Sequence, residues 1–394
     1  MTNASSCRIL HLNSALNGGG TDDQCVNLAA SLHQSGQRVW LAGPAGRNFE
    51  KVVRELGVPF HPTPSEGPAK WRFILSAAAL ARREKIQIIH SHHGRDIWPA
   101  IFAAKLSGVR PKVVLTRHMA KSPPSWASRH LLLGQCDALI AVSEFTARVL
   151  RSGDYDPSSP EPERHARPPI FGDHSKIHVA HGGIDTGKFC PFDAAEQRRE
   201  WGLEPPYFVF AVAGVYDLPR GKGQREFLHA AARIHVAVPN ARFLIIGRGS
   251  LAEVLRADIA RLGLQGKAWL TPYCKDMPTA MNAIDCLVHP AVGTEALGLV
   301  VCEAHACGKP VIASALDGIP EAFQAGNYGQ LVRPENIEEL AAAMQAWAVR
   351  PRLNETDRLE LHKKTDAEFS LAAATRRVMK IYQRLLSPAA ETAR

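Results

Sequence analysis

The sequence predicts an α/β protein of two domains, each built around a parallel sheet. Three observations carry this expectation. Residues 285–322 run strand, loop, helix, strand: apolar Cys286 to His289, a loop holding Gly293, Thr294 and Glu295, small apolar residues from Ala296 to Cys307, and a second strand, Val311 to Ser314. Gly308-Lys309-Pro310 separates the last two, because Gly after a helical run and Pro just beyond it stop a helix. Residues 8–43 repeat that order at the other end of the chain, around Asn17-Gly-Gly-Gly20, as mononucleotide-binding half-folds do. The length, 394 residues, is enough for two full-sized cores.

Taken in order, Arg8 to Ser14 is the first strand, and Thr21-Asp-Asp-Gln24 has the spacing of a capping box. Cys25, Leu28, Ala29 and Leu32 fall at i, i+3, i+4 and i+7, so a helix with one buried face runs to Gly36. Strands follow at Val39–Gly43, Gln87–Ser91, Lys112–Thr116, Ala138–Val142 and Lys176–Ala180. Helical patterns lie between them at Trp71–Lys85, Pro99–Leu106 and Ser128–Gly134. Residues 154–175 are proline-rich, of mixed charge and poor in apolar residues, and read as a loop.

The second half opens on Tyr207–Ala213, apolar throughout as a central parallel strand is. The loop Gly214–Gly223, a helix near 224–238, strands at Arg242–Ile246 and Lys267–Thr271, and a Met277–Ala283 helix lead to the 285–322 unit. Beyond it come a Tyr328–Val332 strand and helices near 337–349 and 371–386.

Candidate site residues cluster where strands end. Gly298, in the first turn of its expected helix, offers unpaired N–H groups and a dipole that favour an anion. Glu295 just before that helix and Glu303 inside it are carboxylates in an apolar setting, suited to ligand hydroxyls; taken singly each also reads as an ordinary helix carboxylate. Arg220 and Lys222 bracket a glycine immediately before another helix, a pattern that suits a diphosphate and also a solvated loop. Histidines follow two strands: His90, His92 and His93 after one, His118 after another. His92 and His93 read as surface residues. Gly18 and Gly19 read equally as a tight turn or as a loop allowing close backbone approach to a ligand.

Glu295-Ala-Leu-Gly-Leu-Val-Val-Cys-Glu303 resembles the E-x7-E signature of the family 4 glycosyltransferases, followed in order by Glu303-Ala304, Gly308 to Val311 and Gly318 to Glu321. The resemblance implies a GT-B fold, two Rossmann-like domains facing across a cleft, with retention of anomeric configuration. It further implies an N-terminal acceptor-side domain (1–185), a linker (186–206), a nucleotide-sugar domain (207–370) and a last helix (371–394) that returns to the first domain. Thr116-Arg117-His118 resembles the family's Thr-x-His beside the transferred sugar, Lys222-Gly its Lys-Gly, and Gly247-Arg-Gly249 its Gly-x-Gly near the base. By that resemblance His118, Lys222 and Glu295 are catalytic. Arg220, Lys222, Gly247, Glu295, Gly298, Leu299, Val300 and Glu303 bind the donor, Glu303 at the ribose, and Gly18-Gly19 line the acceptor side. Two departures stand out. His181-Gly-Gly-Ile-Asp185 has His for the family's Asn, and Val215 occupies a place that is commonly Arg, where Arg220 is the candidate substitute.

Composition narrows the partners. Residues 1–190 carry 23 Lys/Arg against 15 Asp/Glu, so nearly all of the net charge of +9 lies there. That balance suits an anionic membrane surface or an acidic glycolipid; no nucleic-acid-binding motif accompanies it. Eight scattered cysteines without a CxxC pair suit buried thiols in a reducing compartment and no metal site. Without an apolar run of about 18 residues or a signal-peptide layout, the chain is expected in the cytoplasm, at the inner face of the membrane. The expected activity is metal-independent transfer from a UDP- or GDP-sugar to a glycan or glycolipid acceptor, in cell-surface polysaccharide or lipopolysaccharide assembly. No cofactor is expected beyond that co-substrate. A sugar-nucleotide epimerase and a non-catalytic GT-B-like binding subunit remain open alternatives.

Overall fold

The computed structural model describes residues 6–387 except 17, 47, 64–69, 155–166, 218–220, 273 and 324–327. The chain divides into two compact units, residues 1–183 with 371–394, and residues 184–370.

Among the described residues, unit 1 holds strands β1 (Arg8–Leu12), β2 (Arg38–Gly43), β3 (Phe60–Pro62), β4 (Ile88–Ser91), β5 (Lys112–Arg117), β6 (Ala138–Ala141) and β7 (Ile177–Val179). They form one sheet in the order β3-β2-β1-β4-β5-β6-β7, parallel throughout. Consecutive side chains of a strand point to opposite faces, and the apolar runs are long enough to feed both. With α2 (Asn48–Glu55) between β2 and β3 in the chain, Leu10, Ile89 and Leu115 pack under α3 (Lys70–Arg83) and α4 (Ile97–Leu106). Ile9, Ile88 and Val114 pack on the other side under α1 (Gly20–Gln34), with Val378, Ile381 and Tyr382. Those three come from the last helix of the chain, Leu371–Leu386, whose Thr375 hydroxyl donates to Ser31 Oγ over 2.7 Å.

Unit 2 repeats the plan with β8 (Phe208–Ala213), β9 (Ala241–Ile246), β10 (Ala268–Leu270), β11 (Cys286–His289), β12 (Val311–Ser314) and β13 (Gly329–Val332), ordered β10-β9-β8-β11-β12-β13 and parallel. Every side chain of β8 is buried, as a strand covered on both faces requires. Phe210, Phe243 and Val288 face one core and Val209, Leu244 and Leu287 the other. In both sheets the first strand of the unit lies between the branch built outward in one direction and the branch built in the other. The resulting switch points, β1 beside β4 and β8 beside β11, are where open α/β sheets bind ligands.

Several boundaries differ from the sequence reading. The helix expected from Ala296 begins at Leu299, because Gly298 at φ 82° ends the loop in a left-handed conformation. Thr21 caps nothing: the first helix starts at Gly20 behind Gly19, and Gln24 instead pairs its amide with the backbone of Gly183, Nε2 to O at 2.7 Å and N to Oε1 at 3.1 Å. The Ser128–Gly134 pattern is two short helices, α5 (Trp126–His130) and α6 (Leu132–Gln135). The 186–206 stretch contains a helix, Ala195–Glu200. Of the proline-rich loop, Asp154 and Arg167 close its ends by exchanging two backbone hydrogen bonds, and residues 155–166 lie outside the described residues.

Candidate functional site

Unit 2 brings the sequence-predicted donor residues together at its switch point. The loop after β8 carries Lys222 and the loop after β11 carries Glu295; Lys222 Nζ lies 2.7 Å from Glu295 Oε2. Each loop is fixed by its neighbours. Lys222 N–H donates to Gln224 Oε1 at 2.7 Å, and Gly221 N–H to the Asp217 carbonyl at 2.8 Å. Gly223, at φ 88°, passes so close to the loop after β11 that a Cβ would sit 1.9 Å from the Pro290 carbonyl oxygen. On the other side, Glu295 N–H donates to Asp317 Oδ2 at 3.0 Å and its carbonyl accepts from Gly318 N–H at 3.1 Å, which ties it to the loop after β12.

Two helices begin at this edge, Gln224–Ile234 behind Gly223 and Leu299–Ala306 behind Gly298. Both glycines are left-handed and neither supplies a side-chain cap. First-turn N–H groups, including those of Leu299 and Val300, therefore lack the oxygen that Ser, Thr or Asp would give, and such ends accept anions. Gly298 lies against the carboxylate arm, its Cβ direction 3.9 Å from Glu295 Cγ. Glu303 is half-buried one turn into the same helix. Gly247 follows β9 directly, where a Cβ would fall 2.1 Å from the Gly214 carbonyl oxygen, and Tyr216 Oη donates to the Gly247 carbonyl at 3.1 Å. Val215 is 51% exposed, and Arg220 lies outside the described residues.

His289, at the end of β11, is a site residue that the sequence reading passed over as part of an apolar strand. It is buried, its two ring nitrogens have no hydrogen-bond partner, and Nε2 lies 3.8 Å from Glu295 Oε2. Burial pushes its pKa down to about 4, with Glu295 pulling it up and Lys222 reinforcing the fall. Gln224 Nε2 is likewise buried without a partner. A cation, a carboxylate, two open helix ends and unsatisfied buried donors can together hold a diphosphate and the hydroxyls attached to it.

Unit 1 assembles a second group at its own switch point. Gly18 and Gly19, at φ 101° and 119°, are exposed and left-handed, and Gly18 N–H donates to Asp22 Oδ2 at 2.9 Å. Burial raises the Asp22 pKa, but hydrogen bonds from His93, Asn13 and Gly18 outweigh it and hold the group at about 2. His118, after β5, lies with Nε2 3.3 Å from His92 Nδ1; His92 Nε2 lies 2.9 Å from His11 Nδ1. The surface reading of His92 and His93 is thus corrected. His92 is 3% exposed, stacked 4.3 Å from His90, and His93 Nε2 lies 2.8 Å from Asp22 Oδ1. Burial first, and neighbouring rings second, keep His90 and His92 well below the usual range; burial, His93 and Arg117 also lower His118. The row is neutral. His11, Cys25 and His92 also place ligand atoms within 4.8 Å of one another, a proximity hidden by their sequence spacing and usable by a metal only if the His11–His92 bond opened. His118, Gln24, Leu28 and Thr116 line a small pocket together with His181 to Gly183 and the last helix.

Six of the eight cysteines are buried and all are free, Cys190 and Cys274 being partly exposed. Among the described residues no helix is long and apolar enough to cross a membrane.

Comparison with known proteins bears on both units. A family model described as Glycosyltransferase Family 4 matches residues 18–160, and one described as Glycosyl transferases group 1 matches residues 207–348. D-inositol 3-phosphate glycosyltransferase of Mycobacterium sp. (strain KMS) is 28% identical over 288 residues, 68% of this chain and 60% of that protein. The protein of the same name from Kribbella flavida is 27% identical over 311 residues, 72% and 68% of the two chains. The matched part spans about 60% of the length of the first of these relatives. Among solved structures, a glycosyltransferase from Rickettsia africae ESF-5 superposes with a TM-score of 0.80 at 18% identity, covering 97% of this chain and 99% of that one. Anabaena Alr3699/HepE in complex with UDP and glucose gives 0.74 at 19% identity, covering 95% and 98%; these likenesses carry the GT-B fold. With one family model on each parallel-sheet unit, and with the Glu295–Glu303 signature, Lys222 and Gly298 gathered at one switch point, the chain belongs to the group 1, family 4 glycosyltransferases.

Proposed function

We propose that this protein transfers a sugar from a nucleoside-diphosphate sugar, UDP- or GDP-linked, to a glycan or glycolipid acceptor, with retention of anomeric configuration. The observation that carries the reading is the Lys222–Glu295 contact of 2.7 Å at the unit 2 switch point, between two helix ends without side-chain caps. In transfer, the bond from the anomeric carbon to the diphosphate oxygen breaks and its electron pair leaves with the nucleotide. Lys222 and the first-turn N–H groups at Gly298, Leu299 and Val300 meet the charge that develops there. An acceptor hydroxyl oxygen bonds to the anomeric carbon from the same face, and its proton passes to the departing phosphate oxygen.

Glu303 holds the ribose hydroxyls in this reading, Glu295 the donor sugar, Gly247 lies by the base, and Arg220 is a second phosphate contact. On unit 1, His118 serves the transferred sugar and Gly18-Gly19 the acceptor side. The charge on the phosphate is met by protein groups, so no divalent ion is required. The basic excess of residues 1–190 supports a lipid-linked or acidic acceptor at a membrane surface in the cytoplasm, in polysaccharide or lipopolysaccharide assembly. Incubation with a panel of UDP- and GDP-sugars tests the reading: it expects release of free nucleoside diphosphate that increases with acceptor. An isomerised donor, or no change in any donor, would overturn it.

A further inference from the structure

One side of unit 1 is apolar and aromatic among its described residues. On α3, Trp71 is 62% and Leu75 57% exposed; on α4, Phe102 is 39% and Leu106 47%; on α5, Trp126 is 62% exposed. Aromatic contacts join several of these groups in two runs. Trp71 and Phe102 have ring centroids 6.2 Å apart, Phe102 and Trp98 6.3 Å, and Trp98 Nε1 donates to Ser128 Oγ at 3.3 Å. Trp126 stacks on His130 at 4.6 Å, and His130 on half-exposed Phe171 at 4.5 Å. At the far end of the pair of helices, Arg82 donates to the carbonyls of Leu106 and Ser107.

The charge on this side is mainly positive; Asp137, which lines one pocket with Lys105 and Arg110, is taken up by Lys112 at 3.7 Å. Residues 97–136 contain six Lys or Arg and no Asp or Glu, and residues 70–83 contain four and none. Arg72, Lys105 and Arg110 are exposed, interleaved with the apolar groups. Large exposed apolar patches mark docking surfaces, and Trp, Phe and Leu beside Lys and Arg is the composition that settles into a headgroup layer. A second copy of the chain is a poor cover, because a two-fold contact would set this cationic face against itself.

We propose that the α3–α4–α5 face of unit 1 docks on an anionic lipid bilayer, with Trp71, Leu75, Phe102, Leu106 and Trp126 entering the interface and Arg72, Lys105 and Arg110 against lipid phosphates. The inference deepens the membrane-side part of the function proposed above and rests on that part. It does not depend on the transfer chemistry, so the two fail separately: vesicle binding reports on this face and nucleotide binding on unit 2.

The test is co-sedimentation of the full chain with vesicles of phosphatidylcholine alone and of phosphatidylcholine doped with phosphatidylglycerol. Binding is expected on the anionic vesicles only, weakening as salt is raised. Each cation near such a surface contributes about fivefold in affinity, so Lys105→Ala with Arg110→Ala should weaken binding about 25-fold. Trp71→Ser with Leu75→Ser should weaken it at least about tenfold, since these side chains are already exposed and their loss leaves the core intact. Both variants should keep the wild-type melting temperature and its shift with UDP or GDP, which separates lost docking from lost folding. Equal binding to neutral and anionic vesicles, no binding to either, or full binding by both variants would overturn the proposal.

Discussion

Lys222 Nζ and Glu295 Oε2, 2.7 Å apart, join loops that are 73 residues apart in sequence and adjacent at the β8–β11 switch point. The lysine is 39% exposed and the carboxylate 18%. A pair that open contributes little to stability, about 0–1 kcal/mol, yet each loop is held by several other bonds. In the proposed function the pair serves the bound donor.

Lys222→Met should therefore lower kcat by about 100- to 1,000-fold, the range for removing one preorganised charge-stabilising donor. The melting temperature should stay within about 2 °C of wild type, since an exposed pair is worth so little. Glu295→Gln should show the same split. Donor turnover and a thermal melt on each variant check it; a large fall in stability with activity retained would assign the pair to folding.

Glycine tests the geometry behind the site. Gly223→Ala meets both a φ of 88° and a Cβ position 1.9 Å from the Pro290 carbonyl oxygen, whereas Gly266→Ala meets a φ of 71° with no atom within 4 Å. Overpacking against backbone adds about 1–3 kcal/mol to the left-handed strain of about 1–2 kcal/mol that both share. Urea titration should find the first variant clearly less stable than the second. Equal losses would mean that the two loops are not in contact.

Acid should loosen the fold through its buried histidines. Burial holds His11 at about 3 and His289 and His305 at about 4, and lowers His90 and His92 strongly. These rings stay neutral when folded, while the unfolded chain takes up protons near pH 6.5. Their stabilisation is complete above about pH 6.5 and is lost as pH falls toward the folded values, by about 1.4 kcal/mol per pH unit for each ring. Melting curves from about pH 7.5 to about 5.5 should show a steep decline. A flat melting temperature over that range would contradict neutral burial.

Chelation tests the source of charge stabilisation. If Lys222 and the helix N–H groups neutralise the departing diphosphate, turnover should be unchanged after dialysis against EDTA. Loss of activity restored by added Mg²⁺ or Mn²⁺ would assign that role to a metal.

The unit around Glu295 was readable in the sequence because its signals are local: an apolar strand, a glycine, small residues, then Gly308 and Pro310. The E-x7-E spacing then led to Lys222 and Gly247, which stand at the same sheet edge. Other features depend on partners distant in sequence. The capping-box spacing at Thr21 misled because Gly18 and Gly19 adopt positive φ and Gln24 is taken up by Gly183. His92 looked like a surface residue because nothing nearby in sequence announces His11 and His118 on adjoining strands. His289 hid in an apolar run. The helix Glu355–Phe369 gave no amphipathic signal, since Leu361, Thr365 and Phe369 are its only buried residues, a stripe too narrow to read among charged neighbours.

Calorimetric titration of UDP and GDP into the wild-type chain and into Lys222→Met addresses the central claim, that the unit 2 switch point grips a nucleoside diphosphate. The account expects saturable one-to-one binding of at least one of the two nucleotides to the wild type and at least about tenfold weaker binding to the variant, the loss of one charge-assisted contact. Equal affinity in the two proteins, or no binding of either nucleotide, would contradict it.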